Sequence, residues 1–252
     1  MKIQYASDLH LEFKQNKEFL KANPLQPVGD VLLLAGDTVP FALMDKHEDF
    51  FSYVSDHFQS TWWIPGNHEY YYSDIADRSG MLNENIRSNI HLVNNVTVQQ
   101  DWGRLIFSTL WSKINPVSQW QAEAGISDFH VIKWNSQRFT TTRFNQLHAD
   151  SLRFIESELK AGSTKKTMVI THHVPTLMNY PEEYKSSDLN GAFVCELSNI
   201  MEVFSPDYWI YGHHHRNTRD FEIGNTRLLT NQIGYVQYNE HLLFNSNKYI
   251  VV

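Results

Sequence analysis

Five short runs of this sequence carry side chains suited to metal chemistry: Asp8-Leu9-His10, Gly36-Asp37, Gly66-Asn67-His68-Glu69, His172-His173 and Gly212-His213-His214-His215. Seven residues in them, Asp8, His10, Asp37, Asn67, His172, His213 and His215, offer a carboxylate, amide oxygen or imidazole. Such donors suit Mn, Fe, Zn or similar divalent ions, and seven of them suffice for two. Asp8-x-His10 taken alone also reads as a strand-end turn or cap, and Gly36-Asp37 alone reads as turn chemistry. The run from Gly66 to Glu69 and the three consecutive histidines carry most of the weight. Glycine before Asp37, Asn67 and His213 lets the backbone turn sharply and come close to a ligand.

Donors so far apart in sequence meet only if the fold delivers them to one place. Short apolar or β-branched runs at 2–7, 30–35, 61–64, 167–171 and 207–211 each end in a polar or glycine-containing turn and predict buried strands. Each of the five motifs follows one of these strands, and the C-terminal ends of strands are where open α/β sheets place their ligand crevice. Helical patterns occupy 45–58, 73–89 and 142–160; in the last, Phe144, Leu147, Ile155 and Leu159 share a face and Gly162 suits a stop. Further strands are predicted at 96–99, 104–109, 219–223, 226–229 and 248–252, with Gly224-Asn225 as a turn. Segments 111–135 and 176–193 resist regular assignment and read as long functional loops, ordered by Trp111, Trp120, Phe129, Trp134 and Tyr180. The expectation is one domain over 1–252 with loop insertions near 111–135 and 176–193.

Composition bounds the function classes. With 42% apolar and 19% charged residues, the chain is globular rather than disordered. A net charge of −7 gives no electrostatic reason to gather on a nucleic-acid backbone. Cys195 is the single cysteine, which excludes an intramolecular disulfide and a cysteine zinc site and fits a reducing, cytoplasmic compartment. No signal peptide is expected, the six residues before the first motif run reading as a strand, and the longest unbroken apolar run, 31–35, is far too short to span a membrane.

The ordered set Asp-x-His, Gly-Asp, Gly-Asn-His-Glu, His and Gly-His-x-His resembles the calcineurin-like metallophosphoesterase family, over residues 8 to 215. The resemblance implies an α/β, four-layer αββα sandwich: two mixed sheets flanked by helices, with the metal site at the C-terminal strand ends. It implies one metal held by Asp8, His10, Asp37 and His215, and a second held by Asn67, His172 and His213, with Asp37 bridging. Two divalent ions against two carboxylates and a bridging hydroxide leave a net positive centre that attracts phosphate. A hydroxide polarised between ions roughly 3.5 to 4 Å apart attacks phosphorus in line, with no covalent intermediate. His68 resembles the family's catalytic histidine, which stabilises the transition state or protonates the leaving oxygen.

Around these, His173 is the alternative to His172 as ligand, His172 being favoured as the first residue past its strand. His214 alternates with His213 and His215, so period-2 geometry turns it away. Glu69 is expected to orient His68 or nearby backbone, and Arg216, Lys113, Arg138, Arg143 and Lys185 are candidates to reach the site from loops. The remaining histidines, His47, His57, His91, His130, His148 and His241, lack paired donors. Cys195 reads as a buried thiol in a helix, and Trp62 and Trp63 as core and sheet-face residues.

The sequence departs from two relatives. Protein Ser/Thr phosphatases continue Gly-Asp-x-x-Asp-Arg-Gly, whereas this chain reads Gly36-Asp37-Thr38-Val39-Pro40-Phe41-Ala42 and lacks the arginine. Purple acid phosphatases carry a ligating tyrosine at the place of Pro40. The reading is a metal-dependent hydrolase of a small phosphodiester or phosphomonoester; a dianionic phosphoprotein usually recruits guanidinium forks, and none is evident here. Two alternatives are a non-catalytic protein-binding scaffold on the same fold and a nuclease with the same metal centre. The first is disfavoured by the complete donor set, the second by the acidic charge.

Overall fold

The run Val31-Leu32-Leu33-Leu34-Ala35 has no polar face, as suits a strand covered on both sides. Its side chains divide by alternation: Leu32 and Leu34 pack with Leu20, Phe51 and Val54, while Val31, Leu33 and Ala35 meet Leu105, Phe107, Met168 and Ile170. One face therefore sits under helices and the other against a second sheet.

The computed structural model describes residues 1–252. Its strands are β1 (Lys2–Ala6), β2 (Val31–Ala35), β3 (Ser60–Ile64), β4 (Leu82–Arg87), β5 (Ile90–Asn94), β6 (Val96–Gln99), β7 (Gly103–Ser108), β8 (Lys133–Trp134), β9 (Gln137–Arg138), β10 (Lys166–Thr171), β11 (Tyr208–Tyr211), β12 (Phe221–Ile223), β13 (Thr226–Thr230) and β14 (Tyr249–Val251). Its α-helices are α1 (Lys14–Ala22), α2 (Glu48–His57), α3 (Gln119–Gly125), α4 (Asp128–Val131), α5 (Thr141–Ala161) and α6 (Ser198–Phe204).

Two six-stranded sheets result, in the orders β14-β1-β2-β3-β5-β4 and β12-β13-β11-β10-β7-β6. In each, four central strands run parallel and both edge strands run antiparallel. The helices α1 and α2 cover the first sheet. The second is covered by α5 and α6, through Ile155, Leu159, Ile200 and Met201 against Ile106, Val169 and Trp209. The architecture is the expected αββα sandwich of two mixed sheets. No helix is long and apolar enough to cross a membrane.

All five strands expected to carry motifs form, as do those expected at 96–99, 104–109, 226–229 and 248–252, to within a few residues at their ends; the strand expected at 219–223 starts later, at Phe221. The helix expected at 73–89 does not form. That stretch holds a 3-10 turn at Ile75–Asp77 and then β4, hairpinned onto β5. Ile75, Leu82 and Ile86 imitate a helical stripe, but Gly80 at φ +78° breaks it, and β4 is an edge strand whose pairing with the buried β5 outweighs local periodicity. The pattern at 45–58 splits into a 3-10 turn at Phe41–His47 followed by α2. Cys195 is buried but not helical, since α6 begins only at Ser198.

Segment 111–135 is more regular than expected, containing α3 and α4, and it buries Trp111, Ile114, Phe129 and Ile132 against Tyr70, Tyr71, Phe139 and Phe144. Trp120 does not contribute, being 86% exposed. Segment 176–193 has only 3-10 turns at Glu182–Tyr184 and Asn190–Ala192, with Tyr180 buried.

Ile170 is fully buried between the sheets. Ile170→Ala is expected to cost about 2–5 kcal/mol in denaturant unfolding, through lost burial and the cavity left. A loss well under about 1 kcal/mol would contradict the inter-sheet core described here.

Candidate metal centre

Three of the five strands that point a motif at the site, β1, β2 and β11, end in unusual backbone. Asp8, His10, Asp37, His213 and His215 all have positive φ, between 48° and 80°. Non-glycine residues enter this left-handed region only when other contacts hold them there, at roughly 1–3 kcal/mol each, and such residues cluster at functional sites. Here cross-strand bonds hold them: Asp8 N–H donates to Gly36 O at 3.0 Å, and His10 N–H to Asp37 O at 2.9 Å. His213 N–H donates to both Asp8 carboxylate oxygens, at 3.0 and 3.1 Å, tying the second sheet to the first.

Two glycines act through close approach. A Cβ at Gly66 would lie 2.2 Å from Asp37 Oδ1 and 2.7 Å from His172 Nε2, and one at Gly212 would lie 2.5 Å from Asp8 Oδ2. Any side chain there would occupy the space between the donors.

The structure brings all seven predicted donors together. Asp8, His10, Asp37 and His215 form one group and Asp37, His172 and His213 another, with the donor atoms of each within 4.8 Å of one another. Asn67 Oδ1 joins the second group, 3.2 Å from His172 Nε2. Asp37 belongs to both, its Oδ2 lying 3.7 Å from His10 Nε2 and 3.3 Å from His172 Nε2.

The outward nitrogens show what the inward ones are for. His10 Nδ1 faces Glu12 Oε1 at 3.1 Å, His172 Nδ1 faces Ala35 O at 2.9 Å, His213 Nε2 faces Ala192 O at 3.3 Å, and His215 Nδ1 faces Glu240 Oε2 at 2.8 Å. Each partner accepts, so each outward nitrogen carries the proton and the inward nitrogen of the neutral ring is a bare lone pair. Two such nitrogens, His10 Nε2 and His215 Nε2, are 3.0 Å apart; His172 Nε2 and His213 Nδ1 are 3.1 Å apart. Lone pairs that close repel unless a proton or cation lies between them. A metal-ligating histidine almost always has its other N–H tied to a carboxylate or carbonyl, so this donor set fits divalent metal.

Protons are the competitor. Burial pulls the His172 and His215 imidazoles down, but Asp37 for the first, and Asp8 with Glu240 for the second, push them up to about 9 and about 10. Burial raises Asp37, yet the surrounding imidazoles, His172 foremost, hold its carboxyl well below the usual range.

Several residues that hold the donors carry no motif signal. Glu12, two past His10, accepts from His68 Nδ1 at 2.8 Å. Asp128, from α4, accepts from Asn67 Nδ2 at 2.9 Å and Tyr71 Oη at 2.9 Å, leaving Asn67 Oδ1 turned toward His172. Glu240 orients His215, and Gln232 accepts from His215 N–H at 2.7 Å. The Oη of Tyr235 lies 3.3 Å from His68 Nε2. Only the closeness of Glu12 to His10 in sequence hints at its role; Asp128, Gln232, Tyr235 and Glu240 adjoin none of the five motifs.

Glu69 orients backbone, not His68. It is fully buried and accepts from the N–H groups of Asp37, Thr38, Val39 and Gly66 and from Trp63 Nε1. His214 meets Gln232 and packs on Tyr180 and Tyr211, away from the donor groups. His173 belongs to neither group; its two ring nitrogens have no hydrogen-bond partner, and it packs among Trp111, Phe144 and His213.

Beside the donors opens a cavity of about 430 Å³, lined by both long loops: Gly125 to Asp128 from the first, and Tyr180, Tyr184, Ser187, Leu189, Asn190, Ala192 and Phe193 from the second. His68, Tyr71, Tyr235 and Glu240 complete it, and no lysine or arginine lines it. Arg216 instead pairs with Glu183 at 3.0 Å and Glu240 at 3.8 Å. Lys113, Arg138, Arg143 and Lys185 do not reach the cavity either.

Two facing mixed sheets with a cluster of imidazole and carboxylate donors able to hold metal at their strand ends are the mark of a phosphoesterase-type hydrolase. The chain belongs to the calcineurin-like phosphoesterase family, whose model matches residues 1–217. It is 32% identical over 276 residues to the uncharacterized protein L509 of Acanthamoeba polyphaga mimivirus, covering 98% of this chain and 95% of that one. Its fold is similar to that of the phosphopantetheinyl hydrolase of Mycobacterium tuberculosis, with a TM-score of 0.69 at 14% identity, covering 99% of this chain and 95% of that one.

Because His172 and His215 hold protons near neutral pH without metal, and a metal takes the neutral imidazole, Mn²⁺ binding is expected to release protons. Affinity should rise from about pH 6 to about pH 8. Calorimetry in buffers of different ionisation enthalpy measures the release; affinity that does not change with pH would contradict it.

Proposed function

We propose that this hydrolase is a binuclear metal-dependent phosphoesterase acting on a small molecule, with a phosphodiester as the preferred substrate and a phosphomonoester the lesser one. The observation that carries this is the convergence of seven donors, four of them histidines with their outer N–H groups tied down, at the wall of a cavity that contains His68. Asp8, His10, Asp37 and His215 would hold one divalent ion, and Asp37, Asn67, His172 and His213 the other. Bound ions supply positive charge for the phosphoryl oxygens and acidify a water for in-line attack.

The chain's own residues do the rest. The rings of Tyr71, Tyr180, Tyr184, Phe193 and Tyr235 give the cavity apolar walls that exclude bulk water and grip a substrate arm. His68, with Nε2 at the cavity, is placed to protonate the leaving oxygen. With no guanidinium or ammonium lining the cavity, nothing in the chain itself pairs with the second negative charge of a monoester, which favours the monoanionic diester. The same lack, with the net charge of −7, disfavours a polynucleotide. Residues 1–252 would act as one domain, and the lone buried Cys195 fits a reducing, cytoplasmic setting.

With Mn²⁺, bis-p-nitrophenyl phosphate should be cleaved with higher kcat/KM than p-nitrophenyl phosphate; a phosphopantetheinyl ester, the group in the name of the mycobacterial neighbour, belongs in the same panel. His68→Ala should lower kcat by about 100-fold or more on an ester with a poor leaving group, such as the phosphopantetheinyl ester, without unfolding the protein, and Asp37→Asn should lower both metal content and turnover. Failure to cleave any of these with Mn²⁺, Fe²⁺, Zn²⁺ or Ni²⁺, together with less than about one ion per chain where two are expected, would sink the proposal.

A further inference from the structure

His68 is gripped on several sides. Tyr71 stacks on its ring at 3.9 Å between centres and 23° between planes, and His10 meets it edge-on at 4.4 Å. Its Nε2 faces the cavity beside Tyr235 Oη. Its Nδ1 has one partner, Glu12 Oε1 at 2.8 Å, and that same oxygen is 3.1 Å from His10 Nδ1. Glu12 Oε2 has no hydrogen-bond partner, so one carboxylate oxygen serves both imidazoles. An ionised carboxylate can only accept. Both rings therefore present their Nδ1 protons to Glu12, and both Nε2 atoms point the other way: that of His10 toward Asp37 and His215, that of His68 to the cavity.

The other nearby carboxylates are committed elsewhere. Glu69, the sequence neighbour of His68, is taken up by four backbone N–H groups and the Trp63 indole. Asp128 takes Asn67 and Tyr71, and Asp37 Oδ1 takes the backbone N–H of His68. Glu12 alone touches the His68 ring through a hydrogen bond from Nδ1.

We propose that Glu12 is the positioning residue that makes His68 the proton donor to the leaving oxygen, and that it ties this donor to the His10 ligand through one shared carboxylate oxygen. The inference rests on the phosphoesterase reading above. In the step it serves, a water oxygen bonds to phosphorus and the P–O bond to the leaving group breaks, its electron pair staying on the leaving oxygen. That oxygen takes the Nε2 proton of His68. The imidazole is left neutral, keeping its Nδ1 proton and still donating it to Glu12, the proton lost by the attacking water passes to solvent, and His68 regains a proton from solvent.

A leaving group that is stable as an anion does not need that proton, whereas a poor one does. The test compares methyl p-nitrophenyl phosphate with methyl phenyl phosphate, which differ only in the leaving phenol, using Mn²⁺-loaded wild type, Glu12→Gln, His68→Ala and the double variant. Glu12→Gln is expected to lose about 100-fold in kcat on the phenyl ester and less than about 5-fold on the nitrophenyl ester, with KM little changed. The double variant should be no slower than His68→Ala, as for two residues acting as one unit. Metal content of Glu12→Gln should match wild type. Equal losses on both esters, additive losses in the double variant, or losses that track falling metal content would each overturn the role for Glu12 while leaving the phosphoesterase reading intact. No cleavage by the wild type would overturn both.

Discussion

The carboxylate of Asp37 is where the two halves of the molecule meet. It hangs from the end of β2 in the first sheet, yet one of its oxygens lies 3.7 Å from His10 Nε2 in that sheet and 3.3 Å from His172 Nε2 in the other. A charge so deeply buried is costly unless it is paired and hydrogen-bonded. Its environment answers that cost with imidazoles on both sides and the backbone N–H of His68 at 2.9 Å. Glu69 supports the same turn from behind by gathering the N–H groups of Asp37, Thr38 and Gly66. Two buried carboxylates close together would repel, and burial and Asp37 do push Glu69 up to about 8; a divalent cation on Asp37 would relieve that repulsion.

The rest of the fold can be understood as the support for this strained, charged junction. Five donor residues sit in left-handed backbone, which the turns themselves would not adopt. The stabilisation comes from elsewhere: an inter-sheet layer of Ile3, Leu33, Ile64, Phe107, Met168, Ile170 and Ile210, and helices that seal both outer faces. Parallel strands place their C-terminal ends together, so burying the strands on both faces delivers β1, β2, β3, β10 and β11 to one rim.

A second set of residues surrounds the donor cluster, and these come from segments outside the five motifs. Asp128 belongs to the first long loop and fixes Asn67; Glu12 lies in the turn before α1 and fixes His68. Gln232, Tyr235 and Glu240, which hold His214, His215 and the cavity wall, lie beyond the residues matched by the family model. The cavity has aromatic walls and acidic edges but no lysine or arginine.

The sequence by itself determined the candidate donors and the strands that carry them. A strand buried on both faces must be apolar throughout, so runs such as Val31–Ala35 announce themselves, and metal donors placed immediately after them have few other uses. It could not determine β4, where an edge strand with mixed faces imitates a helix until its pairing with β5 is known. Nor could it show which carboxylate serves which imidazole. Glu69 adjoins His68 but turns to the backbone of Asp37, while His68 is served by Glu12, 56 residues away, and Asn67 by Asp128, 61 residues away. Those partnerships depend on loops meeting across the rim of two sheets. Side-chain hydrogen bonds are short-ranged and directional, so only the tertiary structure sets which groups come within reach.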